Sequence, residues 1–183
     1  MAVFQLAPIV HWLWPIPVAG FVLYPYLKRW SAISHFWLGA VDGLAPLGAW
    51  AAITNTLPWE AWALGGAVAF WVAGFDLLYA LFDLDVDRAQ GLHSVPARYG
   101  IPVTFWGART CHAITVLLLV LTGLGLPVGA FYWTGVAAVA ALLGYEHSLV
   151  SPRDWKRLDM AFFTMNGVIS VTFFVFVLLD VLV

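Results

Sequence analysis

The chain is expected to be all-α, a polytopic bundle of about six membrane-crossing helices, and three observations predict it. Of its 183 residues, 63% are hydrophobic and only 10% charged, with a mean hydropathy of +0.90; a soluble domain carries about 25% charged residues. The apolar residues gather into runs of about 20, the length a helix needs to cross the hydrocarbon. All eight lysines and arginines fall in or beside alternate breaks between those runs. A net charge of −2 without a basic run excludes nucleic acid as a natural partner. The lone cysteine, Cys111, excludes a disulfide framework and a thiolate metal site. No basic n-region or small-residue cleavage site marks a signal peptide, and a single membrane domain over residues 1–183 is the expected organisation.

The expected spans cover residues 7–27, 35–54, 60–82, 102–124, 129–150 and 160–182. Pro8, Pro15, Pro17 and Pro25 make the first the weakest, since proline kinks a membrane helix. Turn residues separate the others: Lys28-Arg29-Trp30-Ser31, Asn55-Thr56-Leu57-Pro58, a long 83–101 loop, Gly125-Leu126-Pro127 and Ser151-Pro152-Arg153-Asp154. Lys28, Arg29, Arg88, Arg98, Arg109, Arg153, Lys156 and Arg157 all lie on one face, which the positive-inside rule makes cytoplasmic. Trp12, Trp14, Trp59, Trp62 and Trp133 then mark the outer interface, and Trp30, Trp106 and Trp155 the inner one. Both termini fall outside, an arrangement that an odd number of preceding helices would relieve.

The chemistry gathers in FDLLYALFDLDVDRAQGLHSVPARYG, residues 75–100. On one continuous helix at about 100° per residue, Asp76, Tyr79, Asp83 and Asp87 share a narrow face, with Asp85 opposite. Ionised carboxylates beside hydrocarbon lose hydration and need a compensating cation. A divalent metal holding a phosphorylated substrate meets that need, and Arg88, His93, Ser94 and Arg98 follow directly, on the same cytoplasmic side of the membrane. A solvated helix end explains Asp83, Asp85 and Asp87 about equally well; Asp76, about one turn deeper, favours function.

These residues resemble the second aspartate-rich motif of the UbiA family of intramembrane prenyltransferases, DxxYAxxDxxxDxxxGxxS, matched at Asp76, Tyr79, Ala80, Asp83, Asp87, Gly91 and Ser94. Tyr24-Pro25-Tyr26-Leu27-Lys28-Arg29 is similar to the family's YxxxK motif, and AVDGLAPLGAW (40–50), GYEHSLV (144–150) and AFFTMNGVIS (161–170) extend the likeness over essentially the whole chain. The resemblance implies Mg²⁺-dependent transfer of a polyprenyl group from its diphosphate to an aromatic acceptor such as 4-hydroxybenzoate in quinone biosynthesis. It further implies that Asp83 and Asp87 ligate the metal and that Asp76 and Tyr79 lie nearer the reacting groups. Lys28 and Arg88 would grip the diphosphate, with Tyr24 orienting Lys28 and Arg98 a weaker candidate. The family's first motif, NDxxDxxxD, has no counterpart here. The chain is thus expected to begin at the family's fourth helix, to need a missing N-terminal segment or a second chain, and to be deficient alone. A bacterial inner membrane with a cytoplasmic active face is the implied location.

Other polar residues have plainer readings. Asn166 is expected to make a helix–helix contact, Asp42 to pair with Lys28 or Arg29, Asp180 to be interfacial, and Glu146 and His147 to form an interfacial pair. His11, His35, His93 and His112 lack metal-ligand spacing, and Gly39, Gly43 and Gly48 suit close helix packing. Two competing functions are an ion or proton-coupled transporter, whose carboxylates would be strung across the bilayer, and a non-catalytic fragment or pseudoenzyme.

Overall fold

In the computed structural model the described residues are 5–154, 158 and 163–183. Trp155, Lys156, Arg157 and the start of the 161–170 match lie outside them. The described residues form α1 (Val10–Leu13), α2 (Pro15–Leu27), α3 (Ser34–Thr54), α4 (Trp59–Tyr79), α5 (Leu84–Ala89), α6 (Val95–Tyr99), α7 (Ile101–Gly125), α8 (Ala130–Leu149) and α9 (Met165–Leu182). The all-α bundle is as expected.

Four of the six expected spans, α3, α4, α7 and α9, are long and apolar enough to cross a membrane. The other two are present as helices of a different kind. α8 has 20 residues, but Tyr145, Glu146, His147 and Ser148 dilute its last turns. The first span is divided at Trp14 into pieces of 4 and 13 residues. Pro15 and Pro17 lack the amide hydrogens that would tie these turns to the preceding one, so the ladder lapses there. Trp14 keeps helical angles, φ −57° and ψ −29°.

Successive long helices run antiparallel, with α4 packed between α3 and α7, α2 against α3, and α8 against α9. The α3–α4 approach depends on Gly39 and Gly43. A Cβ at Gly39 would meet the Ala69 carbonyl, and one at Gly43 would lie 2.5 Å from the Gly65 carbonyl. Gly48 differs from expectation: a Cβ there meets nothing within 4 Å. One apolar cluster gathers Ala73, Leu77, Leu78, Phe105 and Cys111. A second gathers Ala67, Leu119, Val136, Leu143 and Ile169. Burial there removes apolar area at about 25 cal/mol per Å². α2 and α9 instead expose rows of Ile, Val, Leu and Phe, as surfaces facing lipid or further helices do.

The bundle has two unlike ends. One carries the α2–α3 turn, α5, α6 and the start of α7, with all the described lysines and arginines in or beside it and with exposed Trp30 and Trp106. The other carries the α3–α4 and α7–α8 turns, with exposed Trp12, Trp14, Trp59, Trp62 and Trp133.

Candidate active site

The acidic segment is not one helix. α4 stops at Tyr79, residues 80–83 turn, and α5 starts at Leu84, so the single-helix stripe does not exist. Asp83 stands at the N-cap of α5 with φ −91° and ψ 0°. α5 then closes in a Schellman motif: Leu92 N–H donates to the Asp87 carbonyl at 2.8 Å and Gly91 N–H to that of Arg88 at 3.3 Å. Gly91 takes φ +66°, which costs a residue without a Cβ least. The reversal brings His93 onto the end of α2. Its N–H donates to the Lys28 carbonyl at 2.8 Å, and its Nδ1 lies 3.0 Å from the Arg29 carbonyl.

That docking sets Lys28 over the acidic pair. Its Nζ lies 2.9 Å from Asp87 Oδ1 and 3.4 Å from Asp83 Oδ2. The three side chains grade from open to sealed: Asp83 is 48% exposed, Lys28 24% and Asp87 2%. The second carboxylate oxygen of Asp87, Oδ2, is buried without a hydrogen-bond partner. A sealed carboxylate with one oxygen on an ammonium and the other on nothing is under-compensated.

Asp76 has a partner that linear spacing did not reveal. His35, in the first turn of α3, places Nδ1 2.6 Å from Asp76 Oδ2, and both residues are buried. Val95 N–H donates to His35 Nε2 at 3.3 Å. Because Nε2 accepts, Nδ1 carries the proton and donates to Asp76. α3, α4 and the start of α6 thus meet at one carboxylate. The partners are 41 residues apart; the only sequence signal was a histidine just inside an apolar span.

The remaining predicted residues are less concentrated. Tyr24 is half-buried within electrostatic reach of Asp76, Asp83, Asp42 and Asp87. The Lys28 ammonium itself is held by the two aspartates. Tyr79 ends α4 half-buried, edge-on to Phe82 and Phe163. Arg88 is exposed on α5. Arg98 is exposed on α6, 5.5 Å over its neighbour Tyr99. Neither arginine joins the Lys28 cluster.

Asp42 pairs with neither Lys28 nor Arg29, the latter lying over Tyr26 at 5.9 Å. It lines an apolar cavity of about 480 Å³ among α1, α2 and α3, with Phe21, Val41 and Leu47. Asp180 does more than sit at the interface: it accepts from Gly129 N–H at 2.8 Å and Tyr132 N–H at 3.0 Å, capping α8. Glu146 is 0% exposed rather than interfacial, and His147 turns from it to His112, Nε2 to Nδ1 at 3.0 Å. Asn166 makes no described helix–helix bond through its buried Oδ1.

No group of three or more His, Cys, Asp and Glu side chains among the described residues is arranged to hold a metal ion. Asp83 and Asp87 nevertheless fit Mg²⁺ as a pair. Their donors are hard oxygens, Asp87 Oδ2 is unused, and Mg²⁺ takes one or two carboxylates and completes its shell with water and phosphate oxygens.

Comparison with known proteins adds to this geometry. The model of the UbiA prenyltransferase family matches residues 1–168. The chain is 31% identical over 160 residues to a 4-hydroxybenzoate octaprenyltransferase of Cupriavidus pinatubonensis, covering 87% of this chain and 56% of that protein. It is 34% identical over 156 residues to the enzyme of the same name from Burkholderia multivorans, covering 85% and 53%. The apo structure of a UbiA homolog from Aeropyrum pernix superposes with a TM-score of 0.84 at 27% identity, over 98% of this chain and 66% of that one. The chain spans about half the length of the curated relatives it matches.

Proposed function

This chain belongs to the UbiA prenyltransferase family and is an integral membrane protein, and from that premise we propose that it serves transfer of a polyprenyl group from polyprenyl diphosphate to an aromatic acceptor such as 4-hydroxybenzoate. The observation that carries the reading is the convergence of Asp83 and Asp87 on one cation, with those two carboxylates and the buried, His35-paired Asp76 all within electrostatic reach of Tyr24. Carboxylates that can hold a cation stand at the polar end of a bundle that is otherwise apolar, which suits a substrate with a diphosphate head and a hydrocarbon tail.

Asp83 and Asp87 would hold Mg²⁺, which when bound neutralises charge on the departing diphosphate. Lys28, on its four-carbon stem, reaches the same head group as a point charge. Arg88 and Arg98, exposed on the covering loop, add positive charge at the entrance. Asp76, oriented by His35, accepts a hydrogen bond or a proton from the acceptor as its ring is alkylated, with Tyr79 beside it. The apolar cavity near Asp42 offers room for part of the hydrocarbon tail and excludes water from an allylic cation. The basic end would face the cytoplasm of a bacterial inner membrane. Cys111 is buried, so cysteines placed at Arg153 and at Thr56 should be labelled from opposite sides; labelling of both from outside would sink this orientation.

A direct assay uses radiolabelled prenyl diphosphate and 4-hydroxybenzoate with Mg²⁺ or EDTA. Metal-dependent product supports the reading. We also infer that the 183-residue chain works at or below about a hundredth of the rate of a version extended by three helices carrying NDxxDxxxD, a loss of about 2.7 kcal/mol. A second reading, a membrane subunit without catalysis of its own, draws on the same ion pair, because Lys28 already balances part of the carboxylate charge. It predicts no product from either version.

A further inference from the structure

We propose that Lys28 is an exchangeable occupant of the Asp83–Asp87 pair and that it makes metal binding and diphosphate binding depend on each other. The inference rests on the metal–diphosphate reading above and extends it to the order in which the site fills. Three observations carry it. The ammonium occupies the position between the two carboxylates, 2.9 Å from Asp87 and 3.4 Å from Asp83. The Asp87 side chain is 2% exposed, and its Oδ2 is buried without a hydrogen-bond partner. The backbone of Lys28 is pinned by the His93 N–H at 2.8 Å, whereas its side chain is 24% exposed. The stem can therefore swing while its root stays fixed.

Charge then sets the linkage. A divalent cation entering between Asp83 and Asp87 competes with a resident monovalent cation and, if it wins, leaves an ammonium beside a like charge without an anion. Diphosphate supplies that anion. When it arrives, Lys28 exchanges two carboxylates for phosphate oxygens, and the aspartates become free for the metal. Each ligand thus removes the obstacle to the other, which is positive coupling and is reciprocal. Lysine suits this role because it is a compact charge on a flexible stem. Arginine, with a planar fork that grips carboxylates bidentately, would hold the pair more firmly.

The test uses the whole chain in lipid nanodiscs and Mn²⁺ followed by electron paramagnetic resonance. Without diphosphate, Lys28→Met should bind Mn²⁺ at least about tenfold more tightly than the native chain, and Lys28→Arg no more tightly than native. On the native chain, acylation of the Lys28 amine, read by mass spectrometry against Lys156, should rise severalfold when Mg²⁺ is added alone and fall again when inorganic pyrophosphate joins it. Equal Mn²⁺ affinity in native and Lys28→Met, or Lys28 acylation indifferent to Mg²⁺ while Mn²⁺ binding is measurable, overturns the proposal and leaves the metal reading standing. Failure of every variant to bind Mn²⁺, with or without pyrophosphate, removes the metal reading and this proposal with it.

Discussion

Aspartate does opposite work at the two ends of this bundle. Asp180, at one end, is consumed by structure: both oxygens accept backbone amides at the start of α8, where the helix dipole welcomes negative charge. Asp83 and Asp87, at the other, share one lysine, and Asp87 keeps an oxygen unpartnered. The same side chain is saturated by backbone donors in one place and left to a shared side-chain ammonium in the other. Saturation marks a cap. At the other end Asp87 stays under-compensated beneath a single shared ammonium.

The sharpest break of this comparison is Asp87→Asn, which keeps the volume and removes the charge that a hard cation requires. In a catalytically competent version of the chain, Mg²⁺-dependent turnover should fall at least about a hundredfold, or about 2.7 kcal/mol, while circular dichroism stays helical. Normal turnover in Asp87→Asn would remove it from the ligand set. Next in size is His35→Leu. It leaves Asp76 without its donor and the Val95 amide without its acceptor, and kcat should drop about tenfold with KM for prenyl diphosphate little changed, a loss of about 1.4 kcal/mol. His35→Gln retains one donor and one acceptor and should recover most of that loss. If glutamine is as impaired as leucine, or if only KM moves, His35 does not position Asp76. The smallest effect belongs to the structural end: Asp180→Ala should lower unfolding stability by about 1 kcal/mol and leave Mn²⁺ affinity unaltered. A change in metal binding there would mean that the two ends are coupled, contrary to the comparison.

Much of this was legible in linear order because the bilayer imposes strong, local rules. The end of α3, the start of α4 and the end of α7 follow from where apolar runs meet Asn55-Thr56-Leu57-Pro58 or Gly125-Leu126-Pro127. The grouping of basic residues at one end follows from helices that must alternate in direction. The spacing of Asp76, Tyr79, Asp83 and Asp87 assumed a continuous helix, and that helix ends at Tyr79. Glu146 and Asp42 were misplaced because polarity near a span end or inside a span says nothing about which neighbour closes over it.

Hydrophobic run length, turn residues and charge asymmetry were thus enough to determine an all-α membrane bundle, its polar end and its acidic motif, because each is a property of single residues or near neighbours responding to lipid or water. Only the tertiary structure decided what neutralises each carboxylate. Lys28 reaches Asp87 because Gly91 reverses the chain and His93 clamps the end of α2. His35 reaches Asp76 because Gly39 and Gly43 let α3 lie close against α4. Electrostatic pairing falls off over a few ångströms of space, and distance in space between residues tens of positions apart is settled by packing.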